Sequence, residues 1–176
     1  MPEVVQRQGE LFEEAMNAYG GALERLARAY EADSDVVRDL LQEIHIALWR
    51  SFASFDGRCA LRTWVYRVAH NVAASHVDRH ARTRRREFVS LEEIDGHMDE
   101  GASDAVAQQL VLSQLYAMVY ELAPLDRQVM LTYLEGMDAA ATAEITGLSA
   151  SNVATKIHRI KKALSRRFRE GGGHEQ

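Results

Sequence analysis

Arginines and aromatic residues are interleaved in one stretch of this 176-residue sequence, and together they could bind a nucleic acid. Eight arginines and a single acid, Asp78, fall between positions 57 and 86. Trp64 and Tyr66 lie among these arginines. Guanidinium groups bind phosphates, and aromatic rings stack on unpaired bases. The pattern therefore indicates capture of a nucleic-acid strand. The plainer alternative is a solvated helix that ends in an arginine-rich segment.

Residues that could support catalysis or metal binding are few. His76 and His80 are four residues apart, so one helix could present them as a pair of zinc ligands, but the sequence suggests no third ligand nearby. The single cysteine, Cys59, rules out a disulfide within the chain and has no identifiable base partner. No glycine-rich phosphate loop and no paired-carboxylate motif occurs. We therefore predict that the protein is no enzyme and uses no metal and no cofactor.

Charge is segregated along the chain, although the net charge is −5. Residues 57–86 carry a net charge of +7, and residues 87–126 contain nine acids and no lysine or arginine. Residues 145–169 contain seven basic residues and no acid. This favours two nucleic-acid-binding segments separated by an acidic one. Because the sequence shows neither a signal peptide nor an apolar membrane span, we expect a cytoplasmic protein.

Apolar residues recur at helical spacing through most of the chain, which predicts an all-α protein. We expect two small helical domains, residues 1–86 and 103–170, joined by an acidic linker at 87–102. A disordered tail is expected at 171–176. In the first domain, the predicted helices run from about residue 10 to 30, from a cap at Asp33 or Ser34 to about Ser51, and onward from about Leu61.

The second domain is predicted to contain a helix-turn-helix. Ser103 can cap a helix that ends near Leu122, and further helices are expected at 125–135 and just before Gly147. Ser149 can cap the last helix, which should place five apolar residues inward: Val153, Ile157, Ile160, Leu164 and Phe168.

The spacing of Ala143, Gly147 and Val153 is typical of a helix-turn-helix. The alanine allows close approach of the two helices, the glycine takes the positive φ of the turn, and the valine packs the second helix onto the first. Outward residues of the last helix could contact phosphates or base edges in the major groove. They are Ser151, Asn152, Thr155, Lys156, Arg159 and Lys162. The alternative is a helical hairpin with a solvated basic face.

Two stretches resemble a known family. The first stretch resembles the polymerase-binding and promoter-melting domain of bacterial sigma factors. It consists of DLLQEIHIALW, a loop, and then RTWVYRVAHNVAASHVDRH. The second stretch resembles their promoter-binding helix-turn-helix domain, and it reads LAPLDRQVMLTYLEGMDAAATAEITGLSASNVATKIHRIKKAL. From about Glu10 to Phe168, the chain is similar to an extracytoplasmic-function (ECF) sigma factor. The resemblance implies a transcription initiation factor that binds core RNA polymerase and promoter DNA and assists strand opening. An anti-sigma factor is a further partner that it makes possible.

The resemblance also implies three sets of site residues. The set for docking on the clamp coiled coil of the polymerase is Asp39, Leu40, Leu41, Gln42, Glu43 and Ile44. The set for the minus-ten element is Phe52, Phe55, Asp56, Arg58, Arg62, Trp64, Arg67 and Asn71. The set for the minus-thirty-five element is Ser149, Ser151, Asn152, Thr155, Lys156 and Arg159.

Two other functions fit parts of the sequence. A stand-alone helix-turn-helix repressor or activator would use the second domain alone and would bind operator duplex tightly without polymerase. An RNA-binding regulator would use the arginine run at 82–86. Binding to DNA with and without core polymerase separates these alternatives from a sigma factor.

Overall fold

The computed structural model describes residues 2–86 and 104–171, and the all-α prediction is confirmed there. The described ranges contain seven helices: α1 (Pro2–Tyr30), α2 (Ser34–Phe52), α3 (Leu61–Arg86), α4 (Asp104–Tyr120), α5 (Pro124–Leu134), α6 (Ala139–Thr146) and α7 (Ala150–Gly171). None of these helices is long and apolar enough to cross a membrane. The predicted linker at 87–102, the cap at Ser103 and residues 172–176 lie outside the described residues.

Helices α1, α2 and α3 pack against one another around an apolar centre. The carboxylate of Asp33 caps α2, since it accepts a hydrogen bond from the backbone N–H of Asp35 at 2.8 Å. Three residues of the predicted apolar face of α2 are fully buried, namely Leu40, Ile44 and Leu48. Helix α1 begins well before the predicted start near residue 10, where the polar sequence gives no apolar stripe.

Helices α5, α6 and α7 pack together and contain the predicted helix-turn-helix. Gly147 ends α6 with a φ of +74°, the left-handed conformation expected for the turn. The hydroxyl of Ser149 accepts a hydrogen bond from the N–H of Asn152 at 3.2 Å and so caps α7. Val153 is fully buried, as predicted. The prediction was wrong for Phe168, which is 48% exposed because it lies near the end of α7, beyond the core.

Helix α3 is covered on more than one side, which its sequence does not reveal. It packs on α1 and α2 and also on α5 and α6 of the second half of the chain. Tyr66 is therefore only 1% exposed, so its predicted place as a stacking aromatic at the surface is wrong. Ala69, His70 and His76 are also buried. The packing joins the two predicted domains directly.

The buried imidazole of His70 makes one hydrogen bond within this packing. Its Nδ1 lies 3.0 Å from the hydroxyl of Tyr30, and its Nε2 has no partner among the described residues. Burial disfavours the charged imidazolium and lowers the pKa of His70 to about 3. Burial also raises the pKa of Tyr30. Both groups therefore stay neutral in the folded protein near neutral pH.

We expect His70 to make the protein less stable as the pH falls. Its folded pKa lies below the unfolded value of 6.5, so below pH 6.5 the unfolded chain binds the proton more readily. From pH 6.5 down to about pH 5, His70 should remove up to about 1 kcal/mol of unfolding free energy per pH unit. The measurement is urea unfolding of the wild type and His70→Gln over this range. Equal pH slopes in the two proteins would contradict the prediction.

Candidate nucleic-acid interface

The loop between α2 and α3 presents two charged side chains at its tip. The carboxylate of Asp56 accepts a hydrogen bond from the backbone N–H of Arg58 at 3.1 Å and also pairs with its guanidinium at 3.1 Å. Gly57, between them, has a φ of +77°, which allows this tight reversal. Both side chains are exposed. The loop thus presents Arg58 at the surface as the partner of an exposed carboxylate.

A cluster of aromatic rings in edge-to-face contact lies beside this loop. The ring of Phe55 lies 5.2 Å from that of Trp64, and the guanidinium of Arg67 lies 4.8 Å above the Trp64 ring. The indole N–H of Trp64 donates to the hydroxyl of Ser51 at 3.0 Å. Phe52 contacts Phe55 from beneath but is only 3% exposed, so it cannot contact DNA in this conformation. Of the rings and arginines predicted to act together, Phe55 and Arg67 contact Trp64, whereas Tyr66 and Arg62 do not join them.

Helix α3 divides the remaining minus-ten residues between two sides. Trp64, Arg67 and Asn71 follow one another at spacings of three and four, so they lie on one side of the helix. Arg62 lies on the opposite side, where its guanidinium donates to the backbone carbonyl of Glu135. The structure therefore does not bring Arg62 together with the others.

The residues predicted to bind the polymerase are partly exposed and partly buried. Asp39 and Gln42 are exposed, and Leu41 and Glu43 are half-buried. Leu40 and Ile44 belong to the core and are not available to a partner. The exposed side of α2 instead includes Ile46, which is 43% exposed and which the sequence prediction missed. Its position four residues after Gln42 was a usable signal, because such residues share one side of a helix.

A groove between α2 and α3 runs beside this surface. Its lining residues are Glu43, Ile46, Ala47, Arg50, Asn71, Val72, Ser75 and Arg79. Arg79 pairs with Glu43 at 2.5 Å, and the buried His76 has its Nδ1 3.8 Å from the same carboxylate. Asn71, predicted to meet DNA, thus lines the same groove as Glu43 of the polymerase set. In the described residues, no group of three or more histidine, cysteine, aspartate or glutamate side chains is placed to hold a metal.

The start of α7 forms the second basic surface. Ser151, Asn152, Thr155 and Arg159 are exposed, as a helix that contacts DNA requires. Lys156 is half-buried and pairs with Asp126 of α5, so it also ties two helices together. The hydroxyl of Ser149 is engaged in capping. Arg159 is therefore the exposed arginine of the predicted set.

The contacts between the two halves of the chain include charged residues that the sequence analysis did not single out. Arg25 of α1 forms two hydrogen bonds with the carboxylate of Glu135, and Arg127 of α5 lies 5.2 Å above the ring of Tyr30. Arg127 is largely buried, and this burial lowers its pKa. Arg25 and Glu135 are 110 positions apart, so no local pattern could have paired them.

Two family descriptions match the two halves of the chain. Sigma-70 region 2 matches residues 15–83, and Sigma-70, region 4 matches residues 112–164.

Characterised relatives match over much of the chain. The chain is 30% identical to the ECF RNA polymerase sigma factor SigX of Bacillus subtilis, over 75% of this chain and 70% of SigX. It is 26% identical to the ECF RNA polymerase sigma-E factor of Haemophilus influenzae, over 94% of this chain and 91% of that protein.

Two solved structures share the fold. CnrH, solved in complex with the cytosolic domain of CnrY, superposes with a TM-score of 0.68 at 21% identity, covering 96% of this chain and 94% of CnrH. The sigma factor RpoE of Bartonella quintana, solved with the anti-sigma factor NepR, gives a TM-score of 0.71 at 19% identity, covering 90% of this chain and 96% of RpoE. At these identities the likeness concerns the fold alone.

Because Phe52 is buried and Phe55 is only half-buried, we expect their substitution by alanine to lower the unfolding free energy by different amounts. Phe52→Ala removes a core side chain and should lower the unfolding free energy by about 3–5 kcal/mol. Phe55→Ala removes a half-buried ring and should cost only about 1–2 kcal/mol, mainly the contact with Trp64. Thermal and urea unfolding of both variants would check this. A Phe55→Ala variant as unstable as Phe52→Ala would show that Phe55 is a core residue and no surface for a base.

Proposed function

Because this chain belongs to the ECF family of RNA polymerase sigma factors, we propose that three of its surfaces bind the polymerase and the promoter. They lie on α2, in the α2–α3 region and on α7. The chain is a transcription initiation factor that binds core RNA polymerase and directs it to promoters. A stand-alone repressor or activator is not favoured, since regions 2 and 4 of a sigma factor occur together in this order. The protein acts in the cytoplasm with the polymerase and performs no chemistry of its own.

The exposed side of α2 docks on the clamp coiled coil of the polymerase. The supporting observation is a strip on which an acid and an amide, Asp39 and Gln42, lie next to the exposed apolar Ile46. An apolar centre with a polar edge is the usual composition of a protein interface. Leu40 and Ile44 act indirectly, because their burial fixes the orientation of the helix.

The α2–α3 loop and the stack on Trp64 hold the minus-ten element. Arg58 at the tip of the loop contacts a phosphate, while Phe55 and Trp64 provide aromatic surface for an unpaired base. Duplex DNA offers no unpaired base, so binding energy gained only from the open strand favours melting. Phe52 supports the loop from the core. The observation that carries this assignment is the edge-to-face contact of Phe55 with Trp64, whose ring Arg67 covers.

The start of α7 recognises the minus-thirty-five element in the major groove. Exposure of Ser151, Asn152 and Arg159 on a helix that follows a short turn supports this assignment. Lys156 positions α7 against α5 through Asp126 and is less accessible to a base. The two domains of the assignment are residues 1–86 and 103–170, with the linker at 87–102 between them.

An anti-sigma factor is a further partner in this proposal. The Bartonella quintana sigma factor that shares this fold was solved with the anti-sigma factor NepR. The second half of the present chain offers exposed apolar side chains on α4 and α7 to such a partner. Val111 and Leu112 in the middle of α4 and Phe168 near the end of α7 are exposed.

Variants on α2 test the docking surface. Asp39→Asn and Ile46→Ala should each weaken binding to core polymerase, by up to about 1 kcal/mol for the exposed charge and about 1–2 kcal/mol for the apolar contact. Glu14→Gln on the exposed side of α1 removes the same charge from another surface and is the matched control. Titration of labelled protein with core polymerase gives the affinities. Equal affinities in all four proteins would remove α2 from the interface.

Promoter binding with and without core polymerase tests the whole assignment. The wild type should bind promoter fragments, selected from genomic DNA with the holoenzyme, much more tightly with core polymerase than alone. Arg159→Ala should cost the holoenzyme about 1–3 kcal/mol if the guanidinium meets a base edge, and the loss should depend on the sequence of the minus-thirty-five element. Lys161→Ala removes a charge from another side of α7 and should have a smaller effect. Tight binding by the wild type alone would favour the repressor or activator.

A further inference from the structure

One lysine of α7 has its charge paired with a carboxylate of α5. Lys156 donates from Nζ to Oδ1 of Asp126, which lies in the first turn of α5. The side chains of Lys156 and Asp126 are 29% and 33% exposed. The pair therefore lies at the edge of the surface that is proposed to meet the minus-thirty-five element, and solvent reaches only part of it.

Lys156 shares one side of α7 with two exposed polar residues. Asn152, Lys156 and Arg159 follow one another at spacings of four and three, which places them in a row along the helix. Among the described residues, Arg159 has no carboxylate partner of the kind that Lys156 has. The row borders a cleft between α7 and the start of α5. The cleft is lined by Leu122, Asp126, Lys156, Arg159, Ile160 and Ala163.

The carboxylate of Asp126 reduces the attraction of Lys156 for DNA phosphates. A lysine that neutralises a phosphate adds affinity and salt dependence, but a phosphate contact carries no direct information about the sequence. A phosphate that takes Lys156 must compete with Asp126, and it leaves an unpaired carboxylate beside the DNA. Arg159 carries no such penalty, so it remains available to a base edge or a phosphate.

A released Lys156 would stabilise wrong complexes more than correct ones. On a correct sequence, base contacts fix the register of α7, so the lysine can reach only a phosphate that lies within its range in that register. On a wrong sequence no base contact fixes the register, and α7 can shift to wherever Lys156 meets a phosphate. Withholding this lysine therefore raises the ratio of specific to non-specific affinity.

We propose that Asp126 is a specificity-determining residue, which withholds Lys156 from the DNA backbone so that Asn152 and Arg159 dominate recognition on this side of α7. Amide and guanidinium groups can form paired hydrogen bonds with base edges in the major groove. Asp126 acts through Lys156 and is a positioning residue. This inference rests on the proposed function, because it requires that α7 meet the minus-thirty-five element.

Asp126→Asn removes the charge of the carboxylate and nearly keeps its shape. The variant holoenzyme should bind a random-sequence duplex several-fold more tightly and a selected promoter duplex by a smaller factor. Discrimination between that promoter and versions changed at single minus-thirty-five positions should fall several-fold. The salt dependence of binding to the random duplex should rise by about one released counterion. The measurement is anisotropy of fluorescein-labelled duplexes titrated with holoenzyme at several salt concentrations.

A double variant separates release of the lysine from direct repulsion of DNA by Asp126. Asp126→Asn should tighten binding to the random duplex several-fold when residue 156 is lysine and much less in a Lys156→Ala background. The loss of discrimination should likewise require the lysine. Equal gains in the two backgrounds would mean that Asp126 repels phosphates directly, and the proposal would be wrong.

Glu121→Gln is the matched control. Glu121 pairs with Arg167 at 2.5 Å, about three turns further along α7 than Lys156, so this substitution also removes one acid and breaks an ion pair to the same helix. It should leave discrimination unchanged. Asp126→Glu keeps the charge and should retain most of the wild-type discrimination. Circular dichroism melting confirms that each variant is folded under the conditions of the titration.

A purely structural role of the pair predicts different results. If the pair only holds α7 against α5, Asp126→Asn should weaken binding to the promoter and to the random duplex alike, which would overturn the proposal. Equal effects of Asp126→Asn and Glu121→Gln would also overturn it, because they would indicate a general effect of charge. If the wild-type holoenzyme does not distinguish the promoter from the random duplex, the proposed function fails. If it does and Asp126→Asn discriminates equally well, only this inference fails.

Discussion

Helix α3 is buried on two sides and keeps arginines and a tryptophan accessible on a third. The packing of the other helices depends on this constraint. One buried side, with Val65 and Ala73, packs on α1 and α2, and the side with Arg62 and Tyr66 meets α5 and α6. A surface helix normally has a single apolar stripe. The second contact places the helix-turn-helix half directly against the half that is proposed to open DNA.

The polar contacts of α1 include one within the first half and one that reaches the second half. His70 and Tyr30 are buried and neutral, so they tie α1 to α3 within the first half. Arg25 and Glu135 form a charged pair that is partly exposed across the two halves. Breaking a partly solvated pair costs much less than exposing an apolar core, because water replaces the lost hydrogen bonds. The buried apolar residues of the two halves nevertheless belong to one continuous core.

The three proposed binding surfaces share a simple division between buried supports and exposed contacts. Leu40 and Ile44 fix α2 so that Asp39 and Gln42 face outward, and Phe52 holds the loop on which Phe55 is displayed. On α7, Val153 anchors the helix whose opposite side carries Arg159. Sites built on well-packed helices keep their geometry without a bound partner, which lowers the entropy lost on binding.

The sequence by itself determined the all-α class, several local helix ends and the family, although α1 begins earlier than predicted. Helical spacing predicted the buried side of α2, and a cap at Asp33 or Ser34 and the turn at Gly147 were predicted from local chemistry, because these signals lie within a few residues of one another. Both sigma-factor stretches were recognisable from their residues alone.

Only the tertiary structure decided which side chains of each site are accessible. The burial of Phe52 and Tyr66 and the engagement of Arg62 by Glu135 depend on how the helices pack together. The meeting of Arg25 with Glu135 joins residues 110 positions apart. No periodicity in one helix can specify such a contact, since the partner surface is set by how the two halves of the chain pack.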